Sequence, residues 1–263
     1  MDVLQATLRL YREAAGEALA ATRQSAIAIG LLALLFAVFT AADQVLGLAD
    51  PGDSLGSQLV RGVVHAAGVG WYLALIEIPI AVRRPVRLAD LQTSLGRYWR
   101  EVLMVGFLFW MGELALRPLA GPSFPALVAI AAIIFNPAPE LIYQSRSSSL
   151  ELLGDAARFM QSNWPEWLGL HLMAFVGLSL WCLLAFGSWS AEFGLFAVQM
   201  FGPWFGFVLA GAYAWGALGP TPLGVASALG LLAFVHWFML VRGHVYRRLS
   251  SSTRRGRVWQ ARM

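Results

Sequence analysis

Residues 25–48 read SAIAIGLLALLFAVFTAADQVLGL. From Ala26 to Ala42 no charged side chain interrupts them, and about 20 apolar residues in helical form cross a hydrocarbon layer of roughly 30 Å. A second such run, Pro222–Leu240, lies near the other end of the chain. The residues between follow suit: of 263, 58% are hydrophobic and 13% charged, about half the charge of an ordinary soluble domain. Mean hydropathy is +0.63. The composition predicts an all-α, polytopic membrane helix bundle.

Six spans are expected, near 26–48, 58–80, 101–119, 125–143, 167–187 and 222–242. A further apolar stretch, 192–218, is broken near its middle by Gly202-Pro203. It reads as a re-entrant or interfacial hairpin on the outer side, packed on the bundle. All 19 basic residues are arginine, and their distribution orients the chain. With six spans and a cytoplasmic N-terminus, every arginine except Arg61 and Arg117 falls on the cytoplasmic side. A seventh span would carry the arginines from Arg242 to Arg262 to the wrong face. These rules place the chain in a bacterial cytoplasmic (inner) membrane with both termini inside. The arginines flank apolar runs and form no soluble basic patch, so nucleic acid is not an expected partner. No ordinary signal peptide opens the chain. LLFAVFTAAD (34–43) resembles a leader and its cleavage site, but the apolar run continues through Val45-Leu46, which favours a retained span.

One spacing recurs before the odd-numbered spans. Leu4, Leu8 and Tyr11 stand at i, i+4 and i+7; so do Leu91, Leu95 and Tyr98, and Leu152, Ala156 and Phe159. Each trio shares a helical face, predicting amphipathic helices in the cytoplasmic interface. The chain thus divides into three units of interface helix, span, span: 1–82, 83–146 and 147–249. Together 1–249 form one membrane domain, and 250–263 a basic, disordered cytoplasmic tail whose arginines are able to hold an anionic leaflet. Besides the lipid bilayer, the interface helices offer docking surface for a cytoplasmic or membrane protein.

Polar groups inside spans are costly, which makes each a candidate for function. The inner half holds Glu77, Asn136, Glu140, His171 and His236. Glu77 and Glu140 end the second and fourth spans in matching places, each beside prolines. If the spans converge, Glu77, Glu140, His171 and His236 form a candidate catalytic, proton-relay or divalent-metal set. The plainer reading pairs Glu77 with Arg83, Glu140 with Arg146, and each histidine with a neighbouring helix. On the outer side Glu113 and Arg117 are spaced for an ion pair, read as locking two helices. No HExxH or GxSxG motif lies in a span, the single cysteine, Cys182, excludes a cysteine-based metal cluster, and no cofactor is implied. Asn136-Pro137-Ala138 spells the water-channel tripeptide, but it occurs once and near the cytoplasmic end of its span; the prolines are expected to end or bend that span.

The segment LGDAARFMQSNWPEWLGL (153–170) joins an amphipathic helix to Asn-Trp ahead of the fifth span. Here the chain resembles uncharacterised six-span bacterial membrane families, including the membrane domain attached to some glycerophosphodiester phosphodiesterases. The resemblance implies a layout and brings no catalytic residues. Without catalytic motifs or a soluble domain, the expected function is a non-enzymatic scaffold or transport-associated, permease-like subunit. The alternative is an intramembrane enzyme or transporter using the inner Glu/His cluster.

Overall fold

The computed structural model describes residues 3–50, 54–145, 149–186 and 222–251, all helix and connecting turns without a strand. The expected hairpin at 192–218, Arg146 and most of the basic tail lie outside the described residues. The helices are α1 (Val3–Gln24), α2 (Ala26–Ala49), α3 (Leu55–Glu77), α4 (Leu88–Ser94), α5 (Trp99–Ala120), α6 (Phe124–Ile134), α7 (Ala138–Gln144), α8 (Ser149–Phe186) and α9 (Pro222–Ser250). Three stretches of these, Ala26–Ala49, Leu55–Val82 and Trp99–Gln144, are long and apolar enough to cross a membrane by length and composition.

One seam of the packed core lies where α1 meets α9. Ala14, Ala18 and Ala21 give α1 a buried small-residue stripe, which allows close approach. Three contacts fix the register: Ser25 with His236, Glu17 with His244, and Glu13 with Arg248. As one partner moves back along α1, the other moves forward along α9, so the two helices run antiparallel in constant register. Tyr11 completes the seam by donating its hydroxyl proton to the Glu166 carbonyl of α8.

The three expected interface helices meet this packing in different ways. Leu4 and Leu8 are exposed while Tyr11 is buried, so the first trio is split between two surroundings. The cause is the alanine stripe, which turns a different face of α1 toward the bundle. The second trio is also split, with Leu95 exposed. Leu152, Ala156 and Phe159 do share one buried face, but α8 runs unbroken through 38 residues with Pro165 inside it. The third expected interface helix and the fifth expected span are therefore one helix.

Backbone irregularities cluster at the same end of the molecule. Pro79 has no N–H to give to the helical ladder, and the end of α3 widens into a π-turn over Ile78–Val82. Arg247 donates to the Ile80 carbonyl at 2.7 Å, taking a group the irregular turn leaves free. Arg83 then reverses the chain in the left-handed region at φ 57°. The loop that follows is tied down twice. Val86 N–H donates to the Gln24 carbonyl at 3.0 Å, and Arg84 grips Asp90 with two bonds of 2.7 and 2.6 Å. Asp90 also accepts from Arg87 N–H at the start of α4.

By contrast, the α5–α6 hairpin is apolar and outward-facing: Phe107, Met111, Leu114, Leu119, Leu127, Val128 and Ile130 are exposed. That surface suits lipid, which solvates such groups without cost. Glu113 and Arg117 are 3.5 Å apart on one helix and both exposed, so this pair does not lock two helices. Where α3 crosses the start of α5, Gly70 makes the approach possible. A Cβ there would lie 2.6 Å from the Trp99 nitrogen.

Two predictions follow from these contacts. Gly70→Ala forces two backbones apart and costs about 1–3 kcal/mol, read as a lower Tm in detergent; Gly106→Ala, with open space around its Cβ, is the neutral control. Arg84, the Arg87 N–H and nearby positive charge hold the Asp90 carboxyl down at about 2. Its contribution is complete above the unfolded-chain value of about 3.9 and is lost as pH falls toward 2. Asp90→Asn therefore lowers Tm at pH 7 and flattens the acid limb of the Tm–pH curve.

Candidate functional site

The chain breaks between α6 and α7 at Phe135-Asn136-Pro137. Pro137 and Pro139 lack the N–H groups that the carbonyls of Ile133 and Phe135 would receive in a regular helix. Shorter bonds replace them, from Asn136 N–H to Ile133 and from Ala138 N–H to Phe135, at 3.4 and 3.0 Å. The Asn136 carbonyl is taken from outside: Arg242 of α9 donates to it at 2.8 Å.

The same Arg242 nitrogen meets Glu140 Oε2 at 2.8 Å, with side chains only 4% and 0% exposed. Trp167 of α8 encloses the group. Its indole N–H donates to Asn136 Oδ1 at 2.8 Å, and its ring centroid lies 5.4 Å from the Arg242 guanidinium carbon, within cation–π range. His171 places Nδ1 2.8 Å from the Trp167 carbonyl and packs edge-on against Phe238. A broken helix, a buried carboxylate and an aromatic wall thus converge on one guanidinium.

His236 belongs to a separate arrangement. Ser25 donates its proton to the Ala21 carbonyl at 2.6 Å, so its oxygen accepts from His236 Nε2–H at 2.8 Å. His236 Nδ1 is then the acceptor for the Tyr72 hydroxyl at 2.9 Å. This sets the Nε2–H tautomer. A serine beside a histidine resembles a nucleophile and its base, but here the serine proton is committed elsewhere. The three groups tie α1, α3 and α9 together.

Glu77 is placed apart again. It lies 2.7 Å from Arg97 and accepts from the Tyr98 hydroxyl at 2.9 Å, joining α3 to the segment before α5. Its partner is Arg97 and not the Arg83 that sequence proximity favours. Likewise the observed partner of Glu140 is Arg242, more distant in sequence than any arginine considered for it. The four candidates therefore occupy three polar assemblies: Glu77; Glu140 with His171; and His236. Among the described residues no three His, Cys, Asp or Glu side chains are grouped to hold a metal ion.

Arg242, Trp167, Ser25 and Tyr72 are the functional-site residues that sequence reasoning did not single out. Arg242 was legible only as a topology signal. No protein family, curated protein or solved structure matches the chain.

Glu140→Ala leaves a buried guanidinium without its counter-charge, a change that costs about 3–5 kcal/mol. Arg242→Met strands the carboxylate and costs about as much. The paired variant Glu140→Leu/Arg242→Met removes both charges, so its loss should fall well short of the sum of Glu140→Leu and Arg242→Met. Thermal unfolding of the four proteins measures the coupling.

Proposed function

We propose that the protein is a six-span scaffold or transport-associated subunit of a bacterial inner membrane, with both termini cytoplasmic. The observation that carries this reading is the place of Arg242. Transporters gather ions with broken helices, whose freed carbonyls and nearby carboxylates face a cavity. Here a broken helix and a carboxylate come together, and a side chain of the same protein supplies the cation. The group is tethered to α9, so it cannot leave and be replaced in a transport cycle.

The histidine arrangement supports the same reading. His236 bridges Ser25 and Tyr72, and its tautomer leaves the serine proton out of its reach. Arginine distribution supports the orientation and the number of spans, and the exposed apolar hairpin of α5 and α6 suits a lipid-facing surface.

One observation favours an intramembrane transporter or enzyme instead. Glu140 Oε1 and Arg242 Nε are buried with no hydrogen-bond partner among the described residues, which leaves polar capacity beyond their mutual ion pair.

Flux measurements on the purified protein in sealed vesicles separate these readings. The scaffold reading predicts proton and sodium uptake no faster than in empty vesicles, with Glu140→Gln unchanged. A flux that Glu140→Gln abolishes, at equal amounts of folded protein, would overturn it. Reporter fusions after residues 50, 84, 121 and 251 test the orientation: cytoplasmic signals are expected at 84 and 251, and external signals at 50 and 121.

A further inference from the structure

The faces of α1 divide their charges in an unusual way. Glu13 and Glu17 both turn to α9, where Arg248 bonds to each and His244 also meets Glu17. Between residues 4 and 23 no other acidic side chain occurs. The outward sector of the helix then holds Leu4, Leu8 and Leu19, exposed by 62%, 48% and 52%, together with exposed Arg9, Arg12 and Arg23. At 100° per residue Leu8 and Leu19 nearly eclipse, and Arg12 and Arg23 repeat the same 11-residue step. The result is an apolar stripe bordered along one side by three arginines.

We propose that this face of α1 binds the surface of an anionic lipid leaflet. Leucines at this spacing enter the boundary between headgroups and acyl chains, and arginines beside them reach the phosphates. Continuity supports lipid as the occupant, because α1 passes into the apolar α2 at Ser25 with one non-helical residue between. The face therefore begins at the membrane. A second copy is disfavoured, since joining two such faces would oppose arginine to arginine. The chemistry differs from ordinary topogenic charge in one respect: the two acids of the same helix, half exposed, are paired with Arg248 and His244 of α9, so neither is paired with Arg9, Arg12 or Arg23.

The inference rests on the membrane placement proposed above, and the experiment separates the two. The full chain, with Cys182→Ala and Leu8→Cys, carries an environment-sensitive fluorophore at position 8. It is reconstituted into nanodiscs of phosphatidylcholine alone or mixed with phosphatidylglycerol, each with and without brominated lipid. Quenching by brominated lipid should be strong in the anionic discs and weaker in the neutral ones. Changing Arg9, Arg12 and Arg23 to Gln should lower the lipid-bound population roughly fivefold per arginine in anionic discs, with helix content unchanged by circular dichroism. A label that stays in water in both discs overturns the proposal, as does quenching indifferent to lipid charge and to the three arginines. A label reached by no lipid but shielded on adding polyglutamate would assign the face to an acidic protein and also overturn it. Failure of the chain to enter discs at all would contradict the membrane placement itself.

Discussion

A buried carbonyl beside a break in a packed helix is bonded here from outside that helix, by the guanidinium of Arg242. An unsatisfied polar group at such a place costs several kcal/mol in hydrocarbon surroundings. Two prolines interrupt the helix between α6 and α7, and a guanidinium from α9 meets both the Asn136 carbonyl and Glu140. Trp167 then closes the group from the side of α8. Three elements distant in sequence are held by one side chain. The buried ion pair by itself contributes little net stability, because removing two charges from water offsets most of their attraction. Its effect is geometric: one guanidinium nitrogen holds a carbonyl and a carboxylate of the broken helix together.

The neighbouring structure follows the same rule. Pro79 interrupts α3 as Pro137 and Pro139 interrupt the helix of Glu140, and again an arginine of α9 donates to a carbonyl beside the break, Arg247 to Ile80. Gly243 lies between these two arginine-served breaks, with no side chain to fend off Ile80 and Tyr143. The C-terminal half of α9 therefore has two tasks. One face meets the alanine stripe of α1, and the other serves the irregular turns of two helices. Ser25, His236 and Tyr72 form a further polar contact inside the packed region, and the exposed α5–α6 hairpin has no comparable polar contacts among the described residues.

Much of this architecture was legible in the sequence, and the reasons differ by element. Membrane-length apolar helices announce themselves by length and lack of charge, as Ala26–Ala49 does. The bend at Asn136-Pro137 was legible because proline acts locally. The partners of Glu77 and Glu140 were not, since proximity in sequence favoured Arg83 and Arg146 while the fold supplied Arg97 and Arg242. The face of α1 that packs inward was not legible for a related reason: a leucine spacing signals an apolar stripe, but alanines make the closer seam. His236 was marked as a helix-bridging group, yet its serine and tyrosine partners come from residues that carry no special signal alone.

Hydrogen exchange measured by mass spectrometry tests the central claim most directly. In the folded protein the amides of 138–145 should exchange slowly. In Arg242→Gln faster exchange is expected, confined first to 138–145 and the facing turn of α9, with 99–116 on α5 unchanged. Exchange in 138–145 that is the same with and without the Arg242 guanidinium would contradict the claim that this group holds the broken helix in place.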